Sequence, residues 1–185
     1  MWRNSSVSVT GLAEPERIQA LTVTDGVLPV LKVQPMLGRA FSAADDSPGS
    51  PETVILSYAY WQQRFGGDPG VIGRKLVVDG RPRDVIGVMP QSFRFLDSHP
   101  RLFLPYRLNR NEIWVGNFAH QGIARLKPGV TLEQANADVA RMLPLTLKKF
   151  PMPPGFTLKM AEEARLGPKI RPLKQDAVGD VGKVL

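Results

Sequence analysis

Residues 54–90 constrain the fold more than any other part of the chain, because their local signals agree. Their sequence is VILSYAYWQQRFGGDPGVIGRKLVVDGRPRDVIGVMP, which predicts a strand, a helix, a turn and a hairpin in that order. Ser57 is suited to cap the helix at its start, and Gly66 to end it in left-handed backbone. The helix face predicted to pack on the core carries three aromatic residues, Tyr58, Trp61 and Phe65.

The same stretch predicts a tight β-hairpin after the helix. Asp79 and Gly80 tolerate the positive φ angles of a two-residue type I′ turn. Counting outward from this turn places Lys75 opposite Asp84, which is a favourable cross-strand charge pair. Pro82 has no amide hydrogen to donate to a neighbouring strand, so we expect its strand to lie at a sheet edge or its amide position to face solvent.

The rest of the chain indicates short strands and one further helix. Further strands are predicted at residues 18–24, 102–108, 118–126, 156–160 and 170–173. The helix begins after Thr131, which forms a capping box with Gln134, and Pro144 is expected to kink or end it. Its predicted buried face consists of Leu132, Ala135, Val139, Met142 and Leu143. With 17 glycines and 17 prolines, the chain fits an α+β fold of short elements better than a helical bundle.

No catalytic, cofactor-binding or metal-binding residue is predicted. The chain has no cysteine, so it has neither a disulfide framework nor a thiolate metal site. His99 and His120 are the only histidines, and neither has a partner at metal-ligand spacing. The glycines of residues 66–73 follow a helix and lack the lysine of a phosphate-binding loop, so they indicate a turn.

The formal net charge of +7 could attract nucleic acid or anionic lipid, but the basic residues are scattered. The densest groups are Arg81 with Arg83, Arg107 with Arg110, and the tail residues Lys169, Arg171 and Lys174. None of these groups is a continuous basic block, and none is interleaved with aromatic residues as single-strand binders require. The pattern favours a solvated surface, and we predict no nucleic-acid partner.

Four segments in a fixed order carry a family resemblance. They are LPVLKVQPMLGRAFSAADD at 28–46, the stretch ending in DGRPRDVIGVMP at 55–90, FLPY at 103–106 and ARLKPGVTLEQANADV at 124–139. Together they resemble the periplasmic core domain of MacB-type ABC transporter permeases, in the FtsX/MacB superfamily, and especially its duplicated orphan permeases. The resemblance covers about residues 21–141.

The resemblance implies an architecture of two subdomains. A porter-like βαβ subdomain would be built from residues 1–50 and 114–185, with an inserted mixed α/β subdomain, of the Sabre-like type, at 51–113. It also implies a transmembrane helix shortly before Met1 and another shortly after Leu185, since the family's core domain lies between two membrane helices.

The function that the resemblance implies is a non-catalytic periplasmic domain of an inner-membrane permease. It would transmit conformational change from a cytoplasmic ATPase, through its own transmembrane helices, to substrate export. Its partners would be those helices, the ATPase, a second copy in a dimer and a periplasmic adaptor protein, with no cofactor.

Two alternatives stay open from the residues themselves. One is a stand-alone binding module for an acidic ligand, nucleic acid or lipid headgroups. The other, with less support, is a hydrolase whose carboxylates would come from Asp45, Asp46 and Glu52.

Overall fold

The computed structural model describes residues 1–12, 14–115 and 120–178 of the 185-residue chain. It has a mixed α/β fold. The strands are β1 (Trp2–Thr10), β2 (Glu16–Val23), β3 (Leu37–Gly38), β4 (Thr53–Leu56), β5 (Lys75–Val78), β6 (Arg81–Val88) and β7 (Leu102–Pro105). The helices are α1 (Val27–Leu31), α2 (Tyr58–Phe65), α3 (Leu132–Lys149), α4 (Leu158–Glu163) and α5 (Leu173–Val178). None of the helices in the described residues is long and apolar enough to span a bilayer.

The chain forms two compact units. The first unit comprises residues 1–108 and 120–123, and it contains all seven strands with α1 and α2. The second unit contains, among described residues, 109–115 and 124–178, with helices α3 to α5. These units do not coincide with the predicted boundaries after residues 50 and 113, and the division into porter-like and Sabre-like subdomains stays a prediction.

Six strands of the first unit pair in a closed cycle, which we call the strand ring. The order is β6, β4, β7, β2, β1, β5 and back to β6. The β4–β6 and β2–β7 pairs are parallel and the other four pairs are antiparallel. The cycle closes through a short contact between β1 and β5, in which Val9 lies opposite Val78 and Thr10 opposite Val77.

Side-chain alternation divides the core between the two faces of the ring. One apolar cluster receives side chains from all six ring strands, and we assign it to the inner face of the closed ring. Helix α2 adds Tyr60 and Trp61 to this inner cluster. A second cluster combines outward side chains such as Phe103 with α1 residues Val27 and Leu28. The ring is therefore a packed core on both faces.

Helix α2 forms as its sequence predicts. The Ser57 hydroxyl accepts a hydrogen bond from the Tyr60 amide, and Gly66 ends the helix with a φ of 60°. Trp61 is buried, and its indole Nε1 donates to the Asp68 carbonyl at 2.9 Å. Tyr60, which the predicted stripe omitted, is more deeply buried than Tyr58, so the core-facing stripe is wider than three residues.

The predicted hairpin is confirmed in its register. Lys75 lies opposite Asp84, and its Nζ donates to the carboxylate at 2.7 Å. Asp79 and Gly80 adopt positive φ angles of 49° and 74°, as a type I′ turn requires. Pro82 lies opposite Val77 of β5, and the pairing of β6 with β4 begins only at Asp84. The missing amide hydrogen of Pro82 therefore interrupts no described hydrogen bond between β6 and β4.

The second unit corrects several expectations about helix α3. The predicted capping box is present, with both the Thr131 and the Gln134 hydrogen bonds formed. The helix nevertheless continues through Pro144 to Lys149, and none of its residues is buried. The predicted buried face is therefore wrong, because no strand of the described chain is grouped with α3 in this unit.

Three predicted strands are also wrong in their described parts. Residues 120–126 make only one isolated bridge, between Gln121 and Trp2, while 118 and 119 lie outside the described residues. The segment predicted as a strand at 156–160 contains the start of α4, because the Thr157 hydroxyl accepts from the Met160 amide and caps a helix. Residues 170–173 form no strand and lead into α5.

Candidate functional site

The inner face of the strand ring changes from apolar to polar along several strands. In β6, Arg83 lies two residues from Val85, and in β1, Ser5 lies two residues from Val7, so each pair shares a face. Val85 and Val7 belong to the inner cluster, so Arg83 and Ser5 extend the same face beyond it. The same alternation adds Arg3, Thr22, Glu52, Arg81 and Tyr106.

These side chains line a cavity of about 690 Å³. We call it the polar mouth and define it by its charged residues, which are Arg3, Glu52, Asp79, Arg81, Arg83 and Arg107. Its apolar lining includes Val7 and Leu104, which belong to the inner cluster. The polar mouth is therefore continuous with the core of the ring.

Three arginines converge on one carboxylate in the polar mouth. Arg83 Nη1 lies 2.5 Å from Glu52 Oε2, Arg81 Nη1 donates to Glu52 Oε1 at 3.3 Å, and Arg107 Nη1 also donates to Oε1. The side chains of Arg83 and Arg107 are only 12% and 18% exposed, whereas that of Arg81 is 69% exposed. Glu52 therefore organises two largely buried guanidinium groups and one at the surface.

The pKa values in this network follow from burial and charge. Burial would raise the pKa of Glu52, but the charges of Arg83 and Arg107 outweigh it and lower that pKa. Burial lowers the pKa of Arg83, and Glu52 does not fully offset it because Arg107 and Arg81 repel the same cation. The Nε of Arg83 is buried with no hydrogen-bond partner among the described residues.

Aromatic and hydroxyl groups surround the charged residues. Tyr106 Oη and His120 Nε2 share a hydrogen bond, and the guanidinium carbon of Arg3 lies 5.7 Å from the centre of the Tyr106 ring. Ser5 and Thr22 hydroxyls lie 3.4 Å apart across β1 and β2. The wall of the polar mouth thus offers a flat ring and small hydroxyls beside its cations.

The other two carboxylates of the hydrolase alternative, those of Asp45 and Asp46, lie in the loop before β4 and accept hydrogen bonds there. Arg39 Nη1 donates to Asp45 Oδ2 at 2.6 Å, and the Ser42 amide donates to the same atom at 2.8 Å. Burial would raise the pKa of Asp45, but the hydrogen bonds from Arg39 and Ser42 outweigh it and lower that pKa. Asp46 accepts from two backbone amides, those of Asp25 at 3.2 Å and Arg107 at 2.6 Å.

This geometry gives the hydrolase alternative no support. A general acid needs a raised pKa, whereas the pKa values of Asp45 and Glu52 are both lowered. Within residues 1–12, 14–115 and 120–178, no group of three histidine, cysteine, aspartate or glutamate side chains could hold a metal ion.

A second cavity, of about 600 Å³, lies on the outer side of the ring. Its walls are mostly apolar and include Tyr58, Met89, Phe93, Phe95 and Phe103. Its lining also includes polar residues, which are Ser57, Gln62, Gln91, Arg94, Ser98, His99 and Arg101. It is an extension of the outer apolar cluster, in which Phe93 packs against Phe103 with ring centres 5.9 Å apart.

In the sequence, Arg81 with Arg83 and Arg107 with Arg110 are separate basic groups, and scattered groups of this kind predict a solvated surface. The structure instead brings Arg81, Arg83 and Arg107 together around Glu52. A signal was present in the alternation, because Arg83 shares a strand face with Val85 and Glu52 is followed two residues later by Val54. A charge at that spacing from buried residues indicates the end of a core-facing stripe.

Comparison with known proteins decides the family. A family model described as the MacB-like periplasmic core domain matches residues 2–142. The chain belongs to the MacB-like periplasmic core domain family. The resemblance in the four sequence segments is therefore confirmed, and the match includes the whole of β1 and most of α3.

Solved structures of this MacB-like type share the fold. The periplasmic region of MacB from Actinobacillus actinomycetemcomitans is 18% identical, with a TM-score of 0.56 over 78% of this chain and 64% of that one. A domain described as part of a permease from Porphyromonas gingivalis is 18% identical, with a TM-score of 0.56 over 79% of this chain and 70% of that one.

The extracellular domain of the noncanonic ABC-type transporter YknZ from Gram-positive bacteria is 19% identical, with a TM-score of 0.43. It matches over 57% of this MacB-like chain, which spans 52% of the YknZ domain. The chain thus covers about half of that domain and 64% of the MacB region. Among curated proteins, none matches it.

Proposed function

We propose that this chain is the periplasmic domain of an ABC-type permease and that it transmits conformational change without catalysing a reaction. The observation that carries the proposal is the family match over residues 2–142. In the intact protein, its own transmembrane helices would connect it to a cytoplasmic ATPase. A second copy in a dimer and a periplasmic adaptor would be its other partners.

The strand ring supports a mechanical role. Hinge and shear motions move packed bodies against one another, and a body must keep its shape to pass on a displacement. The ring has strand pairs around a full cycle and apolar packing on both faces. In our proposal the ring, which joins strands from both sides of the predicted boundary after residue 50, moves as one body.

The three carboxylates of the hydrolase alternative are all engaged by other protein groups. Asp45 and Glu52 are each held by arginine side chains, and Asp46 accepts two backbone amides. An acid or base would have to leave these partners before it could exchange a proton with a substrate. The energy for transport would come from ATP bound by the partner subunit.

The first experiment reads the native gene on both sides of this segment. We expect an apolar stretch of about 20 residues shortly before Met1 and another shortly after Leu185, because a helix of that length spans the bilayer core. Polar flanking sequence on both sides would overturn the permease assignment and favour the stand-alone binding module.

The second experiment measures transmission in the intact transporter. Because these 185 residues contain no cysteine, a single substitution adds one label site to the domain, in a transporter whose other cysteines have been replaced. Exposed Arg17→Cys reports on the first unit, and exposed Lys127→Cys on the second. We expect the distance between the two labels of a dimer to change between the ATP-bound and ADP-bound transporter for at least one site. Unchanged distances at both sites, with an ATPase that hydrolyses ATP, would overturn the transmission role.

A further inference from the structure

The polar mouth carries more positive than negative charge. Four of its six charged residues are arginines, and two, Glu52 and Asp79, are carboxylates. Asp79 Oδ1 already accepts the Ser8 amide at 2.8 Å, and Glu52 is shared by three guanidinium groups. Two positive charges therefore have no counter-charge among the lining side chains.

This imbalance lies partly inside the protein, where it is costly. A buried cation without a full counter-charge loses hydration that nothing replaces. Arg83 is in this position, since its side chain is 12% exposed and its Nε has no hydrogen-bond partner among the described residues. The lowered pKa of Arg83 has the same cause, because burial and the neighbouring arginines outweigh Glu52. An added anion would supply the missing counter-charge.

We propose that the polar mouth binds a phosphate group carried by a larger molecule. Two unbalanced positive charges match a phosphate monoester, which carries about two negative charges at neutral pH. Planar guanidinium groups bind such oxyanions through paired hydrogen bonds. This inference concerns the ring itself and does not depend on the proposed permease function.

The position and size of the polar mouth agree with a ligand site. Mouths of closed sheets are frequent binding sites, and cavities of about 300–1,000 Å³ suit small molecules. At about 690 Å³, the polar mouth is far larger than one phosphate group. Tyr106 and Leu104 line the cavity beside the arginines, so the rest of the ligand would contact an aromatic ring and an apolar floor.

Glu52 contributes by holding the arginines in place. Its carboxylate fixes the Nη1 atoms of Arg81, Arg83 and Arg107, so these side chains do not have to be ordered when a ligand arrives. Arg107 is anchored further, since it also donates to the Ser50 carbonyl. Among the described residues, the Arg81 guanidinium makes only the 3.3 Å contact to Glu52, which leaves most of its donors available to the ligand.

The test is calorimetric titration of the 185-residue chain with inorganic phosphate and inorganic pyrophosphate at constant ionic strength. We expect saturable binding that weakens about tenfold in Arg81→Gln, since one charge-assisted pair is lost at an exposed site. Arg81→Gln removes one exposed side chain, so the fold is expected to persist. Arg94→Gln is the matched control, because it removes an exposed arginine from outside the polar mouth and should leave affinity within about twofold.

Arg83→Gln is the second variant and should weaken binding more than Arg81→Gln. The unfolding of Arg83→Gln is monitored in parallel. If this variant does not fold, the comparison of Arg81→Gln with Arg94→Gln alone tests the proposal. An equal loss in Arg81→Gln and Arg94→Gln would show general attraction to a basic protein and overturn the proposal. Absence of saturable binding of both probes would also overturn it, if vesicles of phosphatidic acid show no binding that depends on Arg81 either.

A vesicle arm separates a soluble phosphate from a lipid headgroup. The vesicles are phosphatidylcholine with about one tenth phosphatidic acid, against phosphatidylcholine alone. Vesicle binding that is weakened by Arg81→Gln and not by Arg94→Gln supports a lipid headgroup as the source. Saturable phosphate binding without vesicle binding supports a soluble ligand. The proposal is overturned if vesicle binding is the same in the wild type, Arg81→Gln and Arg94→Gln and neither phosphate probe binds saturably.

Discussion

Helices α2 and α3 begin with equally good local signals but end in different surroundings. Both have a hydroxyl cap, yet α2 buries Tyr60 and Trp61, whereas α3 buries no residue. In the described chain, every buried apolar residue except Ala161 lies in the first unit. The difference teaches that caps and periodicity determine whether a helix forms, and that a neighbouring sheet determines whether its apolar face is buried.

Two tryptophans test this difference most strongly. Trp61→Ala should lower the free energy of unfolding by about 3–5 kcal/mol, because a buried indole and its hydrogen bond to the Asp68 carbonyl are lost. Trp114→Ala, in the second unit, should change it by less than about 1 kcal/mol, because this side chain is 49% exposed. Urea denaturation curves give both values, and equal effects of the two substitutions would break the comparison.

Two glycines test how closely the first unit is packed. Gly38 in β3 has a φ of 70°, and an added Cβ would lie 2.1 Å from the Ile86 carbonyl oxygen. Gly38→Ala should therefore destabilise by about 2–4 kcal/mol, combining backbone strain with a steric clash. Gly49 has a φ of 79° with nothing within 4 Å of an added Cβ, so Gly49→Ala isolates the strain at about 1–2 kcal/mol. Similar urea midpoints for the two variants would contradict the close β3–β6 approach.

Pro144 tests whether helix α3 is stable independently of the first unit. This exposed proline lies inside the helix and removes one backbone hydrogen bond, so Pro144→Ala should stabilise α3 locally by up to about 3 kcal/mol. Hydrogen exchange of the α3 amides should slow by up to about a hundredfold, while the urea midpoint reported by Trp61 stays unchanged. Ala140→Gly is the opposite control and should speed exchange about fivefold. A shifted midpoint would show that the ring and α3 unfold together.

Residues 54–90 could be predicted well because their determinants are local. The caps at Ser57 and Gly66, the Asp79-Gly80 turn and the Lys75–Asp84 register each depend on residues a few positions apart. Such signals need no knowledge of the rest of the chain.

The ring and the polar mouth could not be predicted, because they depend on distant segments. Strand β1 is not predicted from the sequence, because its first half is a polar run without alternation and the strand is held by pairing with the distant β2 and β5. Glu52 likewise forms its ion pairs with Arg83 and Arg107 only after β4, β6 and β7 have assembled. The buried face predicted for α3 failed for the same reason, since no local signal shows which sheet a helix will contact.

The order of pairing in the ring also determines when the domain can fold. Strand β2 takes β7 as its second neighbour, with Ala20 opposite Leu102, and the closing contact joins Val9 to Val78. A chain that is synthesised from its N-terminus can form the β1–β2 hairpin early. The inner face of that hairpin, however, remains exposed to water until β7, which ends at residue 105, is available. Contacts so far apart in sequence slow folding and prolong the exposure of apolar strands. Residues 1–105 must therefore all be available before the ring can close, so any shorter N-terminal segment leaves apolar strand faces of the ring exposed to water.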